Sequence, residues 1–390
     1  MVTTTACLNG CHRVDVMLIL WLIAVFLAIL YIFWIGYFYY GWLKTPDYTS
    51  VTKAGELPVT IIVPVRNEME NISRLLDSLC RQDYPQYLLE IIIVDDHSTD
   101  KTNKVVASYS RLMPNLLLIK SEKNSTGKKQ ALRKGVYASS SEFILTTDAD
   151  CLPGRSWVST MVDCFEKTGG DLIAGAVLIN KGKGLLNIFQ RLEQLSLVGS
   201  SAGSLTSGYP IMCSSANLGF RKDSFEKVDN QVNDNVSSGD DVFFLFALHR
   251  SGKRSLHFLK SRSAVVITLA EKSLGSFLNQ RRRWASKSRN YDTIASVFTS
   301  LLVFLINFYI VIILFSSVLS FEALMISVFL FVFKSFVDFP FLYSITGYFG
   351  DRKLMNYFPV IQFLYFFYIS FTVITAFRGT NEWKGRIVRH

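Results

Sequence analysis

Four short groups of residues in this chain have types and spacings that could do chemistry. Thr147-Asp148-Ala149-Asp150 places two carboxylates at i, i+2 just past an apolar run. Leaving a strand together, Asp148 and Asp150 could converge on one hard cation. Oxygen ligands suit Mg²⁺ or Mn²⁺, and one or two carboxylates plus substrate phosphates is the usual Mg²⁺ shell. Val94-Asp95-Asp96-His97-Ser98-Thr99-Asp100 also follows an apolar run. Acids at the carboxyl end of a strand sit where open α/β sheets bind ligands. The structural alternative is a helix start, with Ser98 or Thr99 as cap and Asp100 in the first turn. Ser238-Gly239-Asp240-Asp241 opens an apolar stretch at Val242. A carboxylate there could act as a general base towards a hydroxyl, or could cap a helix. Gln280-Arg281-Arg282-Arg283-Trp284 puts Gln280, Arg283 and Trp284 at i, i+3, i+4, on one helix face. A guanidinium clamps a diphosphate in fork geometry. The alternative is a basic flank to a membrane segment, a role expected of Arg281, Arg282, Lys287 and Arg289.

Other chemistries find no support. The six cysteines form no CxxC pair, the five histidines show no metal-ligand spacing, and neither a P-loop nor a GxGxxG occurs. Gly199-Ser200-Ser201-Ala202-Gly203 matches GxSxG, but a nucleophile elbow needs a strand before it and a helix after. Here a helical stretch precedes it and a Gly/Ser-rich loop, 199–208, is expected to follow.

These groups need a scaffold, and the apolar patterning supplies one. Thr60–Val65, Glu90–Val94, Leu116–Ile119 and Phe143–Thr146 are short apolar runs of the kind a buried parallel strand requires. Helix-like stretches at 71–80, 100–109 and 128–138 separate them. That alternation means βαβ units, a parallel sheet and right-handed crossovers. The sheet is expected to continue through Leu172–Val177, followed by a helix from Leu185 to Leu197.

The flanks have a different composition. Val16–Tyr40 carries no charged residue, enough to span a bilayer as one helix and too long for a signal-peptide core. Three more apolar segments lie near 294–319, 323–343 and 357–377, with Lys334 and Asp338 at i, i+4 inside the second. Paired on one helix face, those two charges would cost less in lipid. Half the residues are hydrophobic and only 18% are charged, against about 25% in soluble domains, which excludes a disordered chain and a small disulfide scaffold. The charge of 41 − 31 = +10 invites nucleic acid. The basic residues cluster near the membrane segments, so anionic lipid heads and phosphorylated substrates explain them better, and no nucleic-acid partner is expected. The expected organisation is a transmembrane anchor (1–43), an α/β domain (44–272), an interfacial helix (273–293), and membrane segments with a basic tail (294–390). Three full C-terminal crossings would put that tail outside, against the positive-inside rule. Either one segment is re-entrant or the rule fails.

Taken in order, the groups resemble a membrane-bound glycosyltransferase of family 2, which includes cellulose and hyaluronan synthases and ceramide glucosyltransferase. The resemblance covers Val59 to about Tyr291. Val63-Pro64-Val65-Arg66-Asn67-Glu68 is similar to the family's first-strand signature, and Asp95 and Asp96 to its nucleotide-binding acids. Gly127-Lys128 with Ala131-Leu132 is similar to its GK-x-x-AL element. Asp148 and Asp150 match the DxD metal motif, and Gln280, Arg283 and Trp284 match QxxRW. Ser215-Ala216-Asn217 with Arg221-Lys222 lies where the family shapes its pocket, and Trp383-Lys384-Gly385-Arg386 recurs in such proteins. Asp241 matches the catalytic base, with Asp240 where the family usually has Glu.

The resemblance implies a GT-A-like, Rossmann-type, mostly parallel sheet between an N-terminal transmembrane helix and a C-terminal bundle. It implies inverting transfer from a nucleotide sugar, UDP taken ahead of GDP, to a lipid or glycan hydroxyl. Pro64, Arg66, Asn67, Glu68, Asp95, Asp96, Lys128 and Asp148 would hold the nucleotide. Asp148 and Asp150 would hold Mg²⁺ or Mn²⁺. Asn217, Asp240, Gln280, Arg283 and Trp284 would hold acceptor and diphosphate. Because nucleotide sugars are cytosolic, the catalytic part of this integral membrane protein would face the cytosol of a bacterial-type inner or plasma membrane, with the N-terminus outside.

Overall fold

The computed structural model describes residues 2–49, 56–122, 127–231, 240–252, 255–376, 381–383 and 386–388, with side chains described over 16–49, 56–122, 127–230, 241–252 and 255–376. In chain order the elements are α1 (Val2–Lys44), β1 (Val59–Val65), α2 (Ile72–Cys80), β2 (Leu89–Asp95), α3 (Thr102–Tyr109), β3 (Leu116–Lys120), α4 (Lys128–Ala138), β4 (Phe143–Thr146), β5 (Cys151–Pro153), α5 (Trp157–Thr168), β6 (Leu172–Gly175), β7 (Val177–Ile179) and α6 (Leu185–Thr206). There follow β8 (Leu218–Arg221), α7 (Lys222–Val228), α8 (Asp240–Arg250), β9 (Leu256–Leu259), β10 (Val266–Thr268), α9 (Leu274–Ser286), α10 (Ile294–Ser316), α11 (Phe321–Tyr348), α12 (Phe358–Ala376), β11 (Asn381–Trp383) and β12 (Arg386–Val388).

The main sheet has the order β3-β2-β1-β4-β8-β6-β9. The β1–β2, β1–β4, β2–β3 and β6–β9 pairs are parallel, whereas β8 runs antiparallel to both β4 and β6. The mostly parallel α/β sheet is as expected, and β8 makes it mixed. A smaller sheet, β5-β10-β7, lies beside it; its strands are three residues each, too short to leave a periodic signal. The expected strand 172–177 is therefore divided, β6 pairing in the large sheet and β7 in the small one.

Alternation along β1 covers the sheet on both faces. Val59, Ile61, Val63 and Val65 pack with Leu75 and Leu79 of α2 and Trp157 of α5, while Ile62 packs with Ala131 and Val136 of α4. A strand buried on both sides reads as an unbroken apolar run, as this one does. Gly135 lets α4 lie this close, since a Cβ there would stand 2.5 Å from Ile62 Cγ2.

Four helices are long and apolar enough to cross a membrane: Val16–Lys44, Ile294–Ser316, Phe321–Tyr348 and Arg352–Ala376. Lys334 and Asp338 do pair, at 2.5 Å, and Asp338 also accepts from Tyr31 (2.6 Å) and Gln362 (2.8 Å). Three helices thus share one buried polar knot.

The expected loop over 199–208 is instead the last two turns of α6. Glycine reads as a breaker in an exposed helix, but here small residues permit close helix contact. A Cβ on Gly203 would lie 2.1 Å from the Phe38 carbonyl oxygen of α1, and one on Gly199 2.1 Å from Ile345 Cδ1 of α11. The GxSxG match is therefore mid-helix and no nucleophile elbow.

Candidate active site

The carboxyl ends of β1, β2 and β4 point the same way, so the turns that follow them form one wall of a cleft of about 320 Å³. Pro64, Arg66, Glu68, Asp96, Lys128, Asp148 and Asp150 line that wall, and Asp241 of α8 with Gln280, Arg283 and Trp284 of α9 line a second one. Residues more than two hundred positions apart therefore share one space.

Five of the seven residues on the first wall are held by specific contacts. Arg66 donates to the carbonyls of Asp96 (2.7 Å) and His97 (3.2 Å), tying the β1 turn to the β2 turn. Glu68 is buried and accepts from the Asn71 amide at 2.9 Å. Asp96 accepts from the Gly127 backbone N–H at 3.1 Å, which fixes the start of α4. Lys128, in the first turn of α4, reaches Asp148 Oδ1 at 2.6 Å and Ser215 Oγ at 2.9 Å.

Ser215 is a junction that sequence reasoning undervalued. Its backbone N–H donates to Asp241 Oδ2 at 3.1 Å, and its carbonyl accepts from Thr146 at 2.7 Å. One residue links the end of β4, Lys128 and the first turn of α8. Asp241 lines the same cleft with both carboxylate oxygens hydrogen-bonded, Oδ2 from the Ser215 N–H and Oδ1 from the Val242 N–H at 2.9 Å.

Three expected residues do not line the cleft. Asp95 is buried and accepts from the Ser98 N–H (3.0 Å) and the Asn103 amide (2.8 Å), so it braces the turn that presents Asp96. Asn67 adopts φ 51° and accepts from the Thr99 N–H at 2.8 Å, bracing the same turn. Asn217 departs furthest from expectation. It is fully buried, accepts from Trp157 Nε1 (2.9 Å), and donates to the carbonyls of Ala176 and Ala264 (2.8 Å each). Both amide hydrogens are spent cross-linking the two sheets, so Asn217 supports the floor. The Asp240 side chain lies outside the described residues, as do those of Trp383 and Arg386 and the whole of Lys384 and Gly385.

The QxxRW face behaves as its spacing predicts, and the residue between its members does not. Gln280 donates to Glu271 at 2.9 Å. Burial pulls the Arg283 guanidinium below its usual pKa, with Asp148 and Glu271 acting the other way. Arg281, expected as a basic flank, is buried in an ion pair with Glu193 of α6 (2.6 Å), stacks over Trp284 at 4.1 Å and lines the cleft. Tyr368 of α12 donates to the same Glu193. The one available signal was the polar set Gln190, Arg191, Glu193, Gln194 inside an otherwise apolar helix.

Burial, then Asp150 and Asp148, push the Cys151 thiol well up. Burial and Asp241 do the same to Cys213, whose thiol donates to the Asp241 carbonyl at 3.3 Å. Asp148 and Asp150 fit a divalent cation by donor type: two carboxylates on one wall, facing space for phosphate oxygens and water. Among the described residues no three His, Cys, Asp or Glu side chains gather into a closed metal cage.

Residues 60–229 match the family model described as glycosyl transferase family 2. The chain is 35% identical over 120 residues to the glycosyltransferase AglE of Haloferax volcanii, covering 30% of this chain and 39% of that one. It is 27% identical over 271 residues to the poly-beta-1,6-N-acetyl-D-glucosamine synthase of Staphylococcus aureus, covering 67% and 62%. The chain thus spans less than two thirds of either relative. Among solved structures, a mannosyltransferase of Pyrobaculum calidifontis in complex with GDP-Man and Mn²⁺ superposes with a TM-score of 0.56 at 18% identity, covering 92% of this chain and 98% of that one. At that identity the likeness is one of fold.

Proposed function

We propose, taking residues 60–229 as a glycosyltransferase family 2 domain, that this chain is an inverting glycosyltransferase. It moves a sugar from a nucleotide-diphosphate donor to a hydroxyl of a membrane lipid or glycan. The observation that carries the reading is the single cleft shared by Asp148, Asp150, Asp241, Arg283 and Trp284.

The nucleotide lies along the wall formed by Pro64, Arg66, Glu68 and Asp96, and Lys128 and Arg283 face its diphosphate. Asp148 and Asp150 would hold Mg²⁺ or Mn²⁺, which supplies charge neutralisation for the leaving group. The acceptor oxygen forms a bond to the anomeric carbon as the bond from that carbon to the diphosphate oxygen breaks. The electron pair leaves with the nucleoside diphosphate, and the hydroxyl proton passes to Asp241. Direct displacement inverts the centre without a covalent sugar–enzyme intermediate. Trp284, held by Arg281, excludes water from the reacting centre.

The chain is read as an integral membrane protein with the cleft in the cytosol. Asp351, before α12, pairs with Arg191 of α6, and β11, after α12, packs on α9. Both ends of α12 meeting the catalytic half supports the re-entrant alternative, which keeps the basic tail inside. The test is a donor screen on purified protein, scoring nucleotide release with and without lipid extract. A second reading, a processive polysaccharide synthase, is favoured by what the Staphylococcus relative's name says it makes. A product ladder from labelled donor would support it, and one discrete lipid spot the first reading. No release from any sugar nucleotide would leave a non-catalytic membrane scaffold.

A further inference from the structure

We propose that the acceptor is a neutral, hydroxyl-bearing lipid whose hydrocarbon occupies a second cavity, inside the membrane bundle. The proposal rests on the glycosyl-transfer reading above and narrows its acceptor. The cavity measures about 340 Å³ and is lined by α1, α6, α9, α10, α11 and α12. It adjoins the catalytic cleft, with Leu197, Met212, Arg281, Trp284 and Tyr291 lining both spaces. Asp241 acts electrostatically on Tyr291, whose hydroxyl burial holds above its usual pKa. A headgroup passing Trp284 from the bundle therefore arrives on the side of the cleft that carries Asp241.

The wall chemistry selects the occupant. Ile35, Phe38, Val303, Phe341 and Ile361 give it a hydrocarbon lining. Its charged residues are Glu193, Arg281, Lys334 and Asp338, and they cancel. Arg281 pairs with Glu193 at 2.6 Å and Lys334 with Asp338 at 2.5 Å, with Lys334 and Arg281 1% and 4% exposed. A phosphate headgroup passing through this cavity to the cleft would have to take one cation from its carboxylate on the way, leaving a buried negative charge behind. A hydroxyl headgroup needs no such exchange. The cations Lys128, Arg283 and Lys287 line the donor cleft instead, where a diphosphate needs them.

The experiment uses the full chain in detergent and reads lipid binding by native mass spectrometry without donor. The probes are dioleoylglycerol, dioleoylphosphatidate with the same acyl chains, and undecaprenyl phosphate. Dioleoylglycerol is expected to bind at least tenfold more tightly than either phosphate. Val303→Trp, which fills the cavity, is expected to cut its binding at least tenfold while the melting temperature holds. Asp338→Asn, which uncovers the Lys334 charge, is expected to raise phosphatidate binding tenfold. Preference for either phosphate lipid, or dioleoylglycerol binding untouched by Val303→Trp, would overturn the proposal. Nucleotide release is scored in parallel. A protein that hydrolyses donor but binds no dioleoylglycerol sinks the lipid assignment alone. One that binds dioleoylglycerol but processes no sugar nucleotide supports the lipid site and sinks the transfer reading.

Discussion

The two walls of the cleft are built differently. The wall proposed to take the donor comes from strand ends: Asp96 after β2, and Asp148 and Asp150 after β4, with β1 between those two strands. Parallel pairing alone brings these acids together. The second wall depends on long-range charge. Arg281 reaches Glu193 across 88 residues, and Tyr368 reaches Glu193 across 175. On the donor wall the Lys128–Asp148 pair is about a third exposed (27% and 32%), whereas Arg281 and Glu193 are 4% and 5% exposed. Backbone topology makes the first wall tolerant. Buried charge makes the second exacting, because a partner removed leaves an uncompensated ion.

Asp241→Asn should reduce transfer about a thousandfold, within the range proton transfer contributes, as read by initial rates. Glu193→Ala should cost about 3–5 kcal/mol of stability because Arg281 stays buried without its carboxylate. Lys128→Met on the donor wall should cost less than about 1 kcal/mol in the same denaturant titration, since that pair is partly solvated. Equal losses would break the contrast. The smallest effect is a pH dependence behind the sheet. Burial lowers the His257 pKa in the fold, with Asp171 opposing. A depressed histidine favours the fold above its unfolded pKa of about 6.5, and that stability is lost as pH falls below it. Replacing His257 by Gln should flatten this slope in thermal melts between neutral and mildly acid pH.

What could be read in advance follows the same division. The edges of β4 and α4 were visible because apolar runs and helical spacing are local signals. The DxD pair and Asp241 are short motifs at element boundaries, and the QxxRW set is legible as i, i+3, i+4 spacing within one helix. Gly199 and Gly203 misled because their meaning depends on Phe38 and Ile345, far away in sequence. Asn217 looked like a pocket residue but is a strut between sheets, which only its three partners reveal. Arg281 reads as one of four cations flanking a membrane segment, but it is buried against Glu193. Charges that pair across helices leave no periodic trace.

The central claim is that both walls serve one nucleotide. Calorimetric titration of UDP and of GDP, each with Mn²⁺, into the full chain tests it most directly, comparing wild type with Asp150→Asn and Arg283→Ala. One site is expected for one of these nucleotides, weakened at least tenfold by either substitution. Binding that ignores Arg283→Ala while yielding to Asp150→Asn would show that the two walls do not share a ligand.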